Sequence, residues 1–140
     1  MKKIFFILGI VLIIVSCSKK DVKFETFSPE AFAYDVGDGI SEVNAIVRIK
    51  GFTQNEKDGN YTSSISFDVD LIKPDGSTVK SIFKDVHKES ESEAINDVGL
   101  EAQFNLDSTY ATGDYKILFN IKDDLSDNAT TAEVSFNLSD

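Results

Sequence analysis

The stretch Ser64-Ile65-Ser66-Phe67-Asp68-Val69-Asp70-Leu71 decides the fold of this chain. Apolar and polar residues alternate in it with a period of two, and in a β-strand that period places every second side chain on the same face. One face would then carry only apolar side chains, and the other would carry serines and aspartates. A strand that is wet on one side and packs on a core with the other is typical of antiparallel sheets.

The same alternation recurs along the chain on both sides of this stretch. It predicts further strands over residues 42–51, 78–83, 98–106, 115–121 and 132–138, and a shorter strand near residues 22–27. Seven strands with one apolar face each predict an all-β fold, a seven-stranded antiparallel sandwich of two sheets. A small lipocalin-like barrel is the alternative, and it would need an eighth strand.

The connections between these strands carry their own signals. Lys73-Pro74-Asp75-Gly76 predicts a tight turn, because Pro fixes one turn angle and Gly accepts a positive φ. Ser28-Pro29-Glu30 predicts the cap and first turn of a very short helix. The polar segment 84–96 predicts a loop with at most one helical turn.

Residues 106–138 resemble the last two strands of immunoglobulin-like (Ig-like) and fibronectin-III-like domains. They contain Gly113-Asp114-Tyr115, an alternating strand, Asp123-Asp124 and a final strand. The resemblance implies an Ig-like domain over residues 23–140, in which Tyr115 is the tyrosine-corner residue and its hydroxyl bonds to the backbone upstream. The Cys pair and core Trp of antibody domains are absent, which argues against a true antibody-type domain.

The N-terminus has the layout of a secretory signal. A basic start at Lys2 and Lys3 precedes an apolar run of 12 residues, 4–15, and then Ser16-Cys17. As a helix this run would cover about 18 Å, well short of a hydrocarbon core of about 30 Å. We therefore expect a cleaved signal peptide over residues 1–16 rather than a permanent transmembrane helix.

Ile14-Val15-Ser16-Cys17 resembles the lipobox of bacterial lipoproteins. The resemblance implies that the signal is cut before Cys17 and that Cys17 carries the acyl chains, several of which are needed for firm membrane attachment. Residues 17–22 would then be the lipidated Cys and a polar tether. Ser18 resembles an outer-membrane sorting residue, and the tether resembles surface-export signals of Bacteroidetes lipoproteins. The implied location is the outer membrane, on its periplasmic face or on the cell surface.

Loss of the signal makes an acidic chain more acidic. The full chain has 14 basic and 24 acidic residues, a net charge of −10; removing Lys2 and Lys3 leaves 12 against 24, a net charge of −12. Such a surface repels phosphate backbones, so we expect no nucleic-acid partner. The expected partners are the membrane, through the anchor, and an envelope protein or a glycan.

The sequence predicts no catalytic residue and no cofactor. Its only Cys is the lipidated one, and its only His, His87, lies in the polar segment predicted as a loop. It contains neither a Gly-rich phosphate loop nor a Cys/His cluster. Most of its acids alternate with core residues, so they would face water rather than a desolvated cleft.

Three features are candidates for binding or modification. Asp123, Asp124, Asp127 and Asn128 fall in one predicted loop and offer the hard oxygens that calcium prefers, although their spacing fits no EF-hand; Glu56-Lys57-Asp58-Gly59-Asn60 is a weaker calcium candidate. The possible exposed aromatics for sugar binding are Tyr34, Tyr61 and Tyr110. Asp107-Ser108-Thr109 resembles the O-glycosylation acceptor of Bacteroidetes exported proteins.

These observations favour a non-catalytic lipoprotein that binds a partner or assists envelope assembly. The alternative is an inhibitor or protective factor against a basic hydrolase such as lysozyme, which the net charge of −12 would suit. A third hypothesis is a hydrolase that uses His87 or the acids of the 123–127 segment.

Overall fold

A computed structural model describes residues 21–139 and contains eight strands and no helix in that range. The strands are β1 (Glu25–Gly37), β2 (Ile40–Lys50), β3 (Asn55–Lys57), β4 (Asn60–Ile72), β5 (Thr78–Glu91), β6 (Asp97–Leu106), β7 (Gly113–Asp123) and β8 (Ala129–Leu138). The predicted signal peptide, Cys17 and tether residues 18–20 lie outside the described residues. Between residues 21 and 139, no helix has the length and hydropathy to cross a membrane.

The strands form two antiparallel sheets. The three-stranded sheet has the order β1-β2-β6. In the second sheet β4 lies between β5 on one side and β7 on the other, β8 follows β7, and the short β3 pairs with the first residues of β4. The predicted all-β class and two-sheet arrangement are therefore confirmed.

Residues 21–139 form eight strands rather than the predicted seven. The additional strand is β3, which forms a hairpin with β4 around Asp58 and Gly59. Both turn residues have positive φ angles, 52° and 77°, which is the geometry that an Asp-Gly hairpin turn favours. A strand of three exposed residues has too few positions to show a periodicity. The weaker calcium candidate, residues 56–60, is this hairpin.

The predicted helix at Ser28-Pro29-Glu30 is wrong, because these residues lie inside β1. The pairing of β1 with β2 shifts register between Phe27 and Glu30, and Ser28 has a φ of 49°, so the segment is a bulge. Pro29 lacks an N–H and is tolerated here because β1 is at the edge of its sheet. Ser-Pro-Glu is compatible with both a helix start and an edge bulge.

The predicted loop over residues 84–96 is also wrong for most of its length. β5 continues to Glu91 and pairs with β4 as far as Tyr61. β5 is an edge strand, and charged side chains are favoured on edge strands because they oppose pairing with other chains. Its polar composition therefore reflects an edge position rather than a loop.

The core lies between the two sheets. The four apolar residues of the stretch 64–71 are all buried, namely Ile65, Phe67, Val69 and Leu71. They pack with inward-facing residues of β2, β6, β7 and β8 in one hydrophobic cluster. β1 lies against β8 at one edge of the sandwich, and β5 lies near β6 at the other. The outward faces of β4, β6, β7 and β8 are mostly polar, whereas β1 exposes apolar side chains on its outward face.

Candidate functional site

The acidic loop that was predicted to bind calcium is held by hydrogen bonds within the protein. The Asp123 side chain is fully buried, and its carboxylate accepts hydrogen bonds from Thr53 N (2.8 Å), Leu125 N (3.0 Å) and Ser126 Oγ (2.9 Å). The Asp124 carboxylate accepts hydrogen bonds from Ser64 Oγ (2.7 Å) and from Ser66. Asp123 thus joins the loop after β7 to Thr53, whereas Asp124 joins it to β4.

The other two members of the calcium candidate, Asp127 and Asn128, are exposed. Within the part of the chain that the structure describes, no group of three or more His, Cys, Asp or Glu side chains is suited to a metal ion. Calcium binding by this loop stays a prediction.

Tyr115 is buried at the start of β7. Its hydroxyl donates a hydrogen bond to Ala111 O (2.6 Å), and its ring stacks on Phe136 with 5.4 Å between the ring centroids. Burial raises the pKa of this hydroxyl, so it stays protonated and able to donate. The bond ties β7 to the backbone that precedes it.

His87 lies on β5 and not in a loop, which corrects the sequence expectation. It pairs with Ile65 of β4, and its Nε2 lies 3.0 Å from Glu89 Oε2. The imidazole and this carboxylate are on the same strand, two residues apart, so they occupy the same face. The His87–Glu89 contact is therefore local to β5, an edge strand, and both side chains are partly exposed.

The most distinctive surface is on the outer face of the three-stranded sheet. Phe32, Tyr34 and Val36 alternate along β1 and are 56%, 47% and 50% exposed, and we call these three residues the β1 apolar row. The Phe32 and Tyr34 rings stack with 6.1 Å between their centroids and 23° between their planes. Two stacked aromatic rings with a further exposed apolar side chain two residues along form an apolar surface. Apolar patches mark interaction sites more often than single exposed residues do.

A carboxylate organises the polar groups beside this row. Glu42 lies opposite Tyr34 on β2 and accepts hydrogen bonds from the Tyr34 hydroxyl and from Asn44 Nδ2 (2.9 Å). The hydrogen bond from Tyr34, then that from Asn44 and then that from Gln103 lower the pKa of Glu42. Glu42 is therefore ionised at neutral pH, where it accepts hydrogen bonds from Tyr34 and Asn44.

A groove of about 500 Å³ crosses this face at right angles to the strands, and we call it the transverse groove. Strand register places Phe32 opposite Asn44 and Asn44 opposite Gln103, so one row of side chains runs across β1, β2 and β6. Ile46 and Glu101 lie beside this row, and Phe83 and Asp85 of β5 close the far end. The groove thus combines aromatic, amide and carboxylate groups.

A second groove, of about 970 Å³, lies over the outer face of the five-stranded sheet. Asp68 and Asn120 line it next to a hydrogen-bonded network around Asp70, which is only 2% exposed. The Asp70 carboxylate accepts hydrogen bonds from Lys80 Nζ (2.9 Å), Ser81 N (2.9 Å) and Asn120 Nδ2 (3.2 Å). Ser81 has a φ of 50° where the β4–β5 register shifts, so the network fixes a bulge in β5.

Sequence reasoning singled out only Tyr34 among the residues of the first site. Phe32 and Val36 could have been found, because they alternate with Ala33 and Asp35 with the period of a strand. Asn44 and Gln103 could not, because they are 59 positions apart and meet only through the pairing of β2 with β6. Of the other two predicted sugar-binding tyrosines, Tyr61 is on β4 and Tyr110 is in the loop before β7, where it lines a separate pocket with Asp35 and Ser41.

Comparisons with known proteins give no family for this chain: no protein-family model matches it, and no curated protein matches it. Among solved structures, a protein from Archaeoglobus fulgidus is 12% identical with a TM-score of 0.35, and the match covers 82% of this chain and 98% of that one. A family 123 glycoside hydrolase from Clostridium perfringens is 12% identical with a TM-score of 0.39, over 70% of this chain and 21% of that one. Neither likeness carries an argument about function.

Proposed function

We propose that this chain is an outer-membrane lipoprotein whose Ig-like domain binds an envelope protein or a glycan without catalysis. The observation that carries the binding role is the β1 apolar row, with both aromatic rings exposed and Tyr34 fixed by Glu42. Aromatic side chains supply much of the binding energy at recognition surfaces, and a side chain already held in place loses less entropy on binding.

The strand order supports the Ig-like part of the proposal. In Ig-like domains the first, second and fifth main strands share one sheet, and the third, sixth and seventh share the other. Without the short β3, the chain has β1-β2-β6 in one sheet and β4-β7-β8 in the other, as this order requires; its fourth main strand, β5, pairs with β4 rather than joining β1-β2-β6. The hydrogen bond from Tyr115 to Ala111 has the form of a tyrosine corner.

The test captures partners from the organism's own envelope extract on the immobilised full chain in detergent. Phe32→Ala/Tyr34→Ala is the variant, and Val86→Ala is the matched control, because Val86 is 47% exposed on the other sheet. We expect a saturable partner that binds wild type and the control and is lost from the double variant. Equal capture by all three proteins, or none by wild type, would contradict the proposal.

A second candidate function is inhibition of a basic hydrolase such as lysozyme. It is favoured by the acids around the β1 apolar row, Glu30, Asp35 and Glu42, whereas Arg48 and Lys50 on the same sheet pair with Asp97 and Glu25. Opposite charges speed association with a cationic enzyme. Titrating the full chain into a lysozyme assay tests it: inhibition at micromolar protein is expected, and unchanged activity removes this candidate.

A further inference from the structure

We infer that the transverse groove is an oligosaccharide site that takes neutral or amino-bearing sugars. The inference rests on the proposed binding role and narrows its partner to one chemical class. The groove lies next to the β1 apolar row and shares Phe32 with it, so both belong to the same face of the three-stranded sheet.

The aromatic end of the groove supplies an apolar contact. Phe32 is more than half exposed, and its ring is supported by Tyr34, whose hydroxyl is bonded to Glu42. A sugar ring has an apolar face of C–H groups that packs well on an aromatic side chain. Aromatic side chains also offer a large contact area with only two rotatable bonds to order, so little entropy is lost on binding.

The middle of the groove supplies hydrogen bonds. Asn44 and Gln103 face each other across β2 and β6, with Glu101 beside them. Side-chain amides both donate and accept, and carboxylates accept at two oxygens, which matches hydroxyl groups that do both. Asn44 uses its NH₂ group on Glu42, so its carbonyl oxygen remains available to a ligand.

These polar groups favour a glycan over a protein as the occupant of the groove. A dry apolar protein contact would remove water from the amides and carboxylates without replacing its hydrogen bonds, which is costly. Sugar hydroxyls both donate and accept, so they are able to replace those hydrogen bonds. The volume of about 500 Å³ is within the usual range of small-ligand sites, about 300–1,000 Å³.

Charge narrows the class of sugar. Glu101 and Asp85 line the groove and Glu42 adjoins it, whereas the nearest cation of the sheet, Arg48, is paired with Asp97. A groove with this excess of carboxylates repels uronic, sulfated or phosphorylated sugars. Neutral sugars avoid this repulsion, and amino sugars gain attraction.

The test measures binding of defined oligosaccharides to the purified full chain in detergent by calorimetry. The panel contains neutral gluco-, manno- and galacto-oligosaccharides, a deacetylated chito-oligosaccharide, and a polyuronate and a sulfated oligosaccharide as anionic members. We expect binding of at least one neutral or amino sugar and none of the anionic ones. Phe32→Ala and Gln103→Ala should each weaken binding by about tenfold or more, while Val86→Ala leaves it unchanged.

Thermal unfolding of each variant checks that the domain is folded, and both substitutions are on the surface. The inference is overturned by three results: no binding across the panel, wild-type binding in both groove variants, or a preference for the anionic sugars. Capture of an envelope protein that requires Phe32 and Tyr34, with no sugar bound, would overturn the glycan site and leave the proposed binding role intact. If the wild-type chain binds neither a sugar nor an envelope protein, both the glycan site and the proposed binding role are contradicted.

Discussion

At the scale of single residues, Asp123 is a polar residue that the fold has made part of its core. Its fully buried carboxylate joins the end of β7 to Thr53 and to the loop that follows. Sequence reasoning placed it in a hydrophilic turn, because two adjacent aspartates between strands look alike whether they face water or accept backbone hydrogen bonds. Only the position of Thr53, 70 residues away, distinguishes the two cases.

Removing this carboxylate should destabilise the domain strongly. Asp123→Ala leaves two backbone N–H groups without their acceptor, and we expect a loss of about 2–4 kcal/mol of unfolding free energy. Urea titration measures it, with exposed Asp127→Ala as the control, expected within about 0.5 kcal/mol of wild type. The loss should be the same with calcium and with chelator, and a loss seen only with calcium would instead support a metal site.

Asp70 should make stability depend on pH. Burial raises its pKa, but hydrogen bonds from Lys80, Ser81 and Asn120 outweigh burial, so its pKa lies below the ordinary value of 3.8. Such a group adds stability above the unfolded pKa, and the contribution disappears as the pH falls through the lower folded pKa. We expect Asp70→Asn to cost about 1.5–3 kcal/mol at pH 7. Urea titrations at neutral and strongly acidic pH should show a smaller acid-induced loss in the variant, and equal losses would contradict this.

Tyr115 offers a test of the proposed tyrosine corner. Tyr115→Phe keeps the buried ring on Phe136 and removes only the hydroxyl that donates to Ala111. We expect a loss of about 1 kcal/mol, the usual contribution of one hydrogen bond. Thermal or urea unfolding measures it. Tyr61→Phe on β4 is the matched control, and an equal effect of the two substitutions would argue against a special role for Tyr115.

At the scale of elements, the alternation predicted strands well where one face packs on the core over many residues. β4, β6, β7 and β8 meet that condition, and their apolar positions are buried. It failed for β3, which is short, and for the second half of β5, residues 84–91, whose side chains at the sheet edge are mostly polar. Most of β1 was missed for a different reason. Its outer face carries Phe32 and Tyr34 and is apolar, so apolar and polar residues do not alternate clearly along it.

The β3–β4 hairpin should depend on the backbone freedom of Gly59. Its φ is +77°, and an added Cβ would meet no atom within 4 Å, so the cost of Gly59→Ala is conformational and should be about 1 kcal/mol. Gly99→Ala on β6 is the control, because Gly99 has an ordinary φ and should be neutral or slightly stabilising. Unfolding of both variants by urea checks this, and an equal loss in both would contradict it.

At the scale of the whole molecule, the domain exposes an aromatic patch and is strongly acidic, and it should not adhere to a membrane by itself. The chain expected after cleavage carries a net charge of −12, and a membrane surface that contains anionic lipids has a negative potential. Like charges repel, so attachment would depend on the lipid chains at Cys17. Cys17 precedes the described part of the chain, and its role as the lipidated residue is implied by the lipobox resemblance.

Replacing the acylated thiol should therefore release the protein. We expect the wild-type chain in its native host to sediment with membranes after a high-salt wash, because two or three acyl chains hold firmly where one holds weakly. Cys17→Ser should lose that association, since an apolar run of 12 residues spans only about 18 Å of a core of about 30 Å. Mass spectrometry of the wild type should show loss of residues 1–16 and a gain of fatty acyl mass. Ser16→Ala, which keeps a small residue before Cys17, is the control and should behave as wild type. A Cys17→Ser protein that stays bound after the same wash, or a native protein that begins at Met1, would show that the leader and not the lipid holds the domain.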